Sequence, residues 1–317
     1  MNTTADAVHH MEMIARRYLA ALTTSQRATA AYAFADPLRW QWTYLPRPRP
    51  GPALLELGAP ARKAAYRLLS TAVSRHTFAQ AMAIMALEEV LDLDEDGQRG
   101  RRSDNYRVTV FGEPGGDAWS WRFEGHHLSV TATITGHKVV VAPVFLGANP
   151  ATVSYAGTAV LRPLPLEEDL ARAVLSELTA AQRTVAITST TAPPDILTST
   201  HTTVAEAPPL PVGIRHTDMG PTAQDLLARL IDLYLDRLTP TAAHEARQRR
   251  QLEQSTFAWA GAPVPGAGHY YCIHTPTLLI EYDNTQHSAN HAHTVLRCPA
   301  DDFGASLLTE HHAAEHT

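Results

Sequence analysis

From Tyr106 onward the spacing of apolar residues in this chain switches from the helical period to a period of two, and after a second helical stretch it does so again. YRVTVFG, WSWRFEG, LSVTATI and KVVVAPVFLG succeed one another in the first block; TFAWAG, HYYCIHT, TLLIEYDN and HTVLRC form the second. Runs rich in Val, Thr, Trp and Phe, punctuated by Gly and Pro, predict antiparallel strands joined by short turns. Helical periodicity precedes each block. Met11, Ile14, Tyr18, Leu19 and Leu22 recur at helical spacing, with a break and new cap at Thr24 and Ser25. ARKAAYRLLSTAVSRHTFAQAMAIMALEEVLDL predicts two helices, PLEEDLARAVLSELTAAQRTVAI returns to helix, and TAQDLLARLIDLYLDRL predicts one amphipathic helix. The prolines of WQWTYLPRPRPG require an extended path, with Trp40 and Trp42 on one strand face. Thr188–Gly213 is a long irregular connection of the kind that is usually functional or mobile.

FGEPGGDAWSWRFEGHHLSV and AGAPVPGAGHYYCIHTPTLLI both open on Gly-x-Pro, pass a Gly-containing loop, and give two strands around a tight turn. The expected fold class is therefore α+β: an antiparallel sheet with helices packed on it, as one domain over 1–317 with candidate duplicated halves 1–165 and 166–317. The 317 residues, 44% hydrophobic and 18% charged, suffice for a sizeable core. Lys and Arg number 26 against 32 Asp and Glu, and no basic stripe interleaves with aromatics, so nucleic acid is not an expected partner. Two cysteines, Cys272 and Cys298, are too few for a disulfide framework or a CxxC zinc site. The N-terminal stretch lacks a continuous apolar segment, so neither a secretory signal nor a membrane span is read there, and a cytoplasmic location is expected.

Candidate chemistry concentrates in two segments, GHHLSV and EYDNTQHSANHAHTVLR. On a strand His291 and His293 point the same way, which suits two ligands converging on one metal. His126 and His127 are adjacent and cannot both face one site on a regular strand, so one of them is the expected third imidazole unless a bulge at Gly125 re-aims both. Glu281 and Asp283 also share a face and are the candidate fourth ligand or general base; Asn284, Gln286 and Asn290 are candidate supports, and His269 is a further ligand or base candidate. Glu88 or Glu89 is a weaker candidate for turning inward from its helix. Imidazoles with an optional carboxylate suit copper, iron, zinc or manganese. No dinucleotide-binding glycine motif, phosphate loop, Gly-x-Ser-x-Gly elbow or His-Glu-x-x-His helix occurs.

WRFEGHHLSV, FLGANPA followed by LRPLPLEEDLAR, and FAWAG with HYYCIHTPTLLIEYDNTQHSANHAHTVLR and DFG resemble the domain-of-unknown-function family numbered 3500, found widely in bacteria and in some fungi. The resemblance runs over nearly the whole chain and implies a single module; it carries no reaction, cofactor or catalytic residue. Thr275 stands where other members show the glycine of HGP, which weakens the case for a ligand approaching that turn. Many relatives carry an export signal that this chain lacks, so their location does not transfer.

The residues together predict a metal-dependent enzyme, an oxidoreductase using copper or iron on a small organic molecule. The alternatives are a hydrolase using zinc or manganese, and a non-catalytic binding protein.

Overall fold

Apolar residues at helical spacing become buried stripes. Val8, Met11, Ile14, Tyr18 and Leu19 line one face of α1 (Thr4–Ala20). Thr23 and Gln26 cap each other's backbone N–H and start α2 (Thr24–Ala30), which runs into the short strand β1 (Ala31–Tyr32). Then come α3 (Ala59–Ala72), α4 (Arg75–Asp94) and the strands β2 (Arg107–Phe111), β3 (Ala118–Gly125), β4 (Leu128–Thr135) and β5 (Lys138–Ala148). The computed structural model describes residues 4–309.

After a small separate hairpin, β6 (Val153–Tyr155) and β7 (Thr158–Leu161), the order repeats. Helices α5 (Pro165–Glu177) and α6 (Ala180–Ala186) lead into the short β8 (Ile187–Ser189). A two-residue β9 (Ile214–Arg215) precedes α7 (Pro221–Leu235) and α8 (Pro240–Arg249), and β10 (Thr256–Gly261), β11 (His269–His274), β12 (Leu279–Gln286) and β13 (His291–Arg297) close the sheet. The repetition reaches single side chains: Thr179 and Gln182 cap α6 as Thr23 and Gln26 cap α2. Each glutamine then donates to a distant carbonyl, Gln26 to Glu56 and Gln182 to Asp218.

One sheet results, in the order β1-β2-β3-β4-β5-β13-β12-β11-β10-β8, with β9 also on β10. Read from either edge it is the same: a short parallel strand, then a four-strand antiparallel meander, the two meanders meeting at β5 and β13. The architecture is α+β, mostly antiparallel as expected. The two parallel edge pairs have a simple origin, since helices intervene between β1 and β2 and between β8 and β10, and such a connection returns the chain in the same direction.

Strand parity gives the sheet two unlike faces. Trp119, Trp121, Phe123, Leu128, Val130, Leu146, Tyr271, Ile280 and Leu296 pack with the helices in the main core. Alternate residues, among them Arg122, Glu124, Cys272, Glu281, Asp283 and His293, face the other way and are covered by irregular chain rather than helix. The Pro-rich segment forms that cover: Pro37–Arg39 is a single 3-10 turn and residues 40–50 pair with no strand, so Trp40 and Trp42 are not on a strand as expected. Prolines at 46, 48 and 50 have no N–H to give a ladder. Trp42 and Tyr44 instead bury against Phe145, Val295, Ile196 and Phe303. Arg122 pins the segment by donating to the carbonyls of Leu38, Arg39 and Gln41.

Candidate metal centre

The β3–β4 hairpin turns in two residues, Gly125 pairing with Leu128, and those two residues are His126 and His127. No bulge occurs there; His127 takes a left-handed conformation at φ 61°, which histidine tolerates better than most residues, and the rings of the pair lie 3.7 Å apart between centroids, tilted by 30°. Gly125 is required because a Cβ at that position would fall 2.1 Å from the Tyr106 ring, while Tyr106 Oη–H donates to the His126 carbonyl.

His127, His291 and His293 come together across β5. Each offers one nitrogen, these atoms all lie within 4.8 Å of one another, and all three residues are buried. His127 Nε2 is 2.8 Å from His291 Nε2. Gly147 of β5 lies directly beneath: a Cβ there would approach His127 Cδ2 at 3.0 Å and His293 Cδ2 at 3.1 Å. Tyr44 stacks on Phe145 at 4.0 Å and meets His293 edge-on at 5.0 Å, walling the group with aromatics.

Asp195, from the Thr- and Pro-rich connection, fixes the tautomer of His293. Its Oδ1 accepts from Nδ1–H at 2.7 Å, and its Oδ2 accepts from Tyr44 Oη–H at 3.0 Å. His293 Nε2 is left buried and without a hydrogen-bond partner among the described residues, as is His291 Nδ1. Burial holds His127 well below the ordinary histidine range, and repulsion from the neighbouring imidazoles adds to it. Burial and then His293 and His287 push His291 down to about 2. The cluster thus packs three buried imidazoles together, with the Nε2 atoms of His127 and His291 paired to each other and His293 Nε2 and His291 Nδ1 left unpaired among the described residues. His127, His291 and His293 would hold a metal ion, since their ligand atoms already lie within the few ångströms that separate the nitrogens of one metal site.

His126 lies on the helix side of the same turn. Its Nδ1 is 2.6 Å from Glu88 Oε1, and Glu88, His126 and His127 form a second group with ligand-like spacing. Glu88 therefore turns inward from α4, although Arg101, 3.4 Å from the same His126 nitrogen, brings a competing positive charge.

The carboxylates divide. Asp283 pairs with His293 across β12 and β13 and shares its face; Oδ1 is held by Thr285, Oδ2 has no partner among the described residues, and burial pushes the group up to about 8. Glu281 spends both oxygens on the cover and the neighbouring strand, accepting from the N–H groups of Leu197 and Thr198, the Thr198 hydroxyl and, from β11, Tyr270 Oη–H. Asn284 accepts from the His291 N–H at 3.0 Å, Gln286 donates to the Pro194 carbonyl, and Asn290 bonds both backbone groups of Thr152. His269 belongs to the other face, stacked on Trp259 at 4.8 Å and beside Arg172.

Residues near the group that escaped the sequence reading include Asp195, whose only signal is the long connection that carries it, Tyr44, which bonds Asp195, and His287, whose ring centre is 5.1 Å from that of His291. His9 and His10 are exposed, while His311, His312 and His316, read as solvated ends, lie outside the described residues.

The fold and its cluster define an α+β protein with a repeated helix-and-meander topology and three converging buried histidines. The family described as Protein of unknown function (DUF3500) matches residues 4–305, and the chain belongs to that family. No curated protein and no solved structure matches the chain. Among the described residues no helix is long and apolar enough to cross a membrane.

Proposed function

We propose that His127, His291 and His293 hold one transition-metal ion and that the protein is a metal-dependent oxidoreductase using copper or iron on a small organic molecule. The observation that carries this reading is three buried imidazoles whose ligand atoms lie within 4.8 Å of one another, with His291 Nδ1 and His293 Nε2 unpartnered among the described residues. Buried polar atoms are normally satisfied, and a cluster of lone pairs is satisfied by a cation. The ligand group is all nitrogen, which suits copper and iron, and three ligands leave a coordination position for substrate. With such an ion in place the site would supply electron transfer. The protein's own groups then have separate tasks: Asp195 orients His293, Gly147 gives the rings room, and Tyr44 and Phe145 exclude water.

A second reading, a zinc or manganese hydrolase, is favoured by one observation. Asp283 has a free oxygen on the same face, and its raised pKa suits proton transfer near neutral pH. The unpaired cysteines, Cys272 and Cys298, suit a reducing compartment such as the cytoplasm.

Elemental analysis of the protein as isolated, joined to electron paramagnetic resonance, tests these readings. One equivalent of copper or iron is expected. Stoichiometric zinc or manganese moves the assignment to the hydrolase. No bound transition metal, together with a melting temperature unchanged by chelator, leaves a binding protein and ends the catalytic reading.

A further inference from the structure

The three imidazoles are buried, so an ion reaching them needs a path. The order of exposures marks one. His287 is exposed, His291 is 8% exposed, and His127 and His293 are 2% and 3% exposed. The ring centres of His287 and His291 are 5.1 Å apart, and those of His291 and His293 are 4.6 Å apart. Asn149 Oδ1, 3.2 Å from His287 Nδ1, accepts its hydrogen, so Nε2 is the nitrogen of that ring that can meet a ligand. Asn149 is itself buried, so this acceptor is fixed in place.

The backbone around His287 is held at a cost. His287, Ser288 and Ala289 take φ values of 49°, 57° and 60°, three successive left-handed residues with no glycine among them. Each sets a Cβ against the following carbonyl oxygen, a conformation that residues other than glycine seldom adopt. Such a run persists only where its surroundings fix it: the Asn290 N–H donates to the Gln286 carbonyl, and the Asn290 carbonyl accepts from the Ala151 N–H. Its effect is to lift one imidazole to the surface above His291.

We propose that His287 is the loading ligand of the centre, an exposed imidazole that captures the incoming divalent transition-metal ion and passes it through His291 to the three buried nitrogens. The inference rests on the three-histidine reading above. It assigns His287 to the rate of metal exchange rather than to the resident ligand set.

Stopped-flow mixing of metal-free protein with Cu²⁺ alone tests it, with tryptophan fluorescence as the signal. Trp42 packs 6.1 Å from Phe145, which packs 5.5 Å from His293, so an ion bound there lies close enough to quench it. His287→Ala should load severalfold more slowly and release to chelator more slowly by the same factor, with affinity and one-to-one stoichiometry unchanged. His287→Gln keeps an amide donor for Asn149 but no imidazole and should behave as His287→Ala does. Loading at the wild-type rate in either variant overturns the inference. So does a loss of affinity with the loading rate intact, which would make His287 a resident ligand. A wild type that takes up no ion removes this inference and the three-histidine reading together, whereas a wild type that binds copper and loads no faster than the variants removes this inference alone.

Discussion

The two ends of the central strand pair occupy equivalent places in the repeated topology and are furnished differently. At one end the β3–β4 turn, the last residues of β5 and the first of β13 bring together His127, Gly147, His291 and His293. At the other, the β11–β12 turn, the first residues of β5, the residue after β13 and α8 surround a cavity of about 260 Å³ lined by Val141, Leu238, Pro276, Leu278 and Cys298, with Glu245, Arg249 and Asp301 as its charges. One end of the strand pair thus gathers imidazoles under the cover, while the other gathers mostly apolar groups on the helix side. An aliphatic lining is content with dispersion contacts, whereas lone pairs in low dielectric carry a cost until something pairs them. The fold supplies the convergence of three chain segments; the side chains alone decide whether that convergence means packing or chemistry.

The sharpest way to break the comparison is to truncate one residue at each end. His293→Ala should abolish stoichiometric metal in elemental analysis while far-UV circular dichroism stays that of the wild type. Val141→Ala, at the aliphatic end, should keep the metal and lose only about 1–2 kcal/mol in a urea melt. Metal retained by His293→Ala would dissolve the distinction between the ends.

Gly147→Ala asks whether the histidine end depends on a missing side chain. Its Cβ would sit 3.0 to 3.1 Å from both rings and from the Ala292 carbonyl, and backbone cannot yield as a flexible side chain does. A cost of about 1–3 kcal/mol is expected, together with displaced rings and weakened metal binding. A wild-type melting curve with wild-type affinity would show that the rings do not need that space. Asp195→Asn is milder. It preserves shape but removes the charge that fixes the His293 tautomer, and metal affinity should fall about 10- to 100-fold with the fold intact. Isothermal titration reads this, and unchanged affinity would reduce Asp195 to a clasp for the cover.

Much of this organisation was legible in the sequence because it rests on period. Alternation in WSWRFEG and LSVTATI fixed which residues share a face, and the i, i+2 spacing of His291 and His293 placed them together. Parity does not say which face a residue takes, and His269 shows the limit: it shares the helix-covered face with Tyr271, while Tyr270 faces the cover. Nor does short-range pattern reveal long-range partners. Asp195 lies 98 residues from His293, and Glu281 is claimed by a loop 83 residues away. The left-handed turn at His287 was hidden because no glycine announced it.

His269 also gives a pH test on the face away from the cluster. Burial, and then the nearby Arg172 charge, lowers it to about 4, against an ordinary 6.5. The folded protein keeps it neutral while the unfolded chain takes up the proton first. Its contribution is therefore complete above pH 6.5 and is lost as pH falls from 6.5 towards 4, by up to about 1.4 kcal/mol per pH unit. His269→Phe, which can keep the stack on Trp259, should flatten that part of a stability-versus-pH profile from urea melts. An unchanged slope would mean that other groups carry it.

The smallest expected effect returns to the repeat. The β4–β5 turn uses Gly136 at φ 55°, whereas the β12–β13 turn puts Ser288 and Ala289 in the same region of conformational space without a glycine. Ala289→Gly makes the second turn resemble the first. It relieves about 1–2 kcal/mol of left-handed strain and gives back about 0.4–1 kcal/mol through the freer unfolded chain, so a net stabilisation of about half to one kcal/mol should result in a thermal melt. Destabilisation instead would mean that the left-handed turn is no burden, and that the two halves of the molecule solve the same hairpin equally well by different residues.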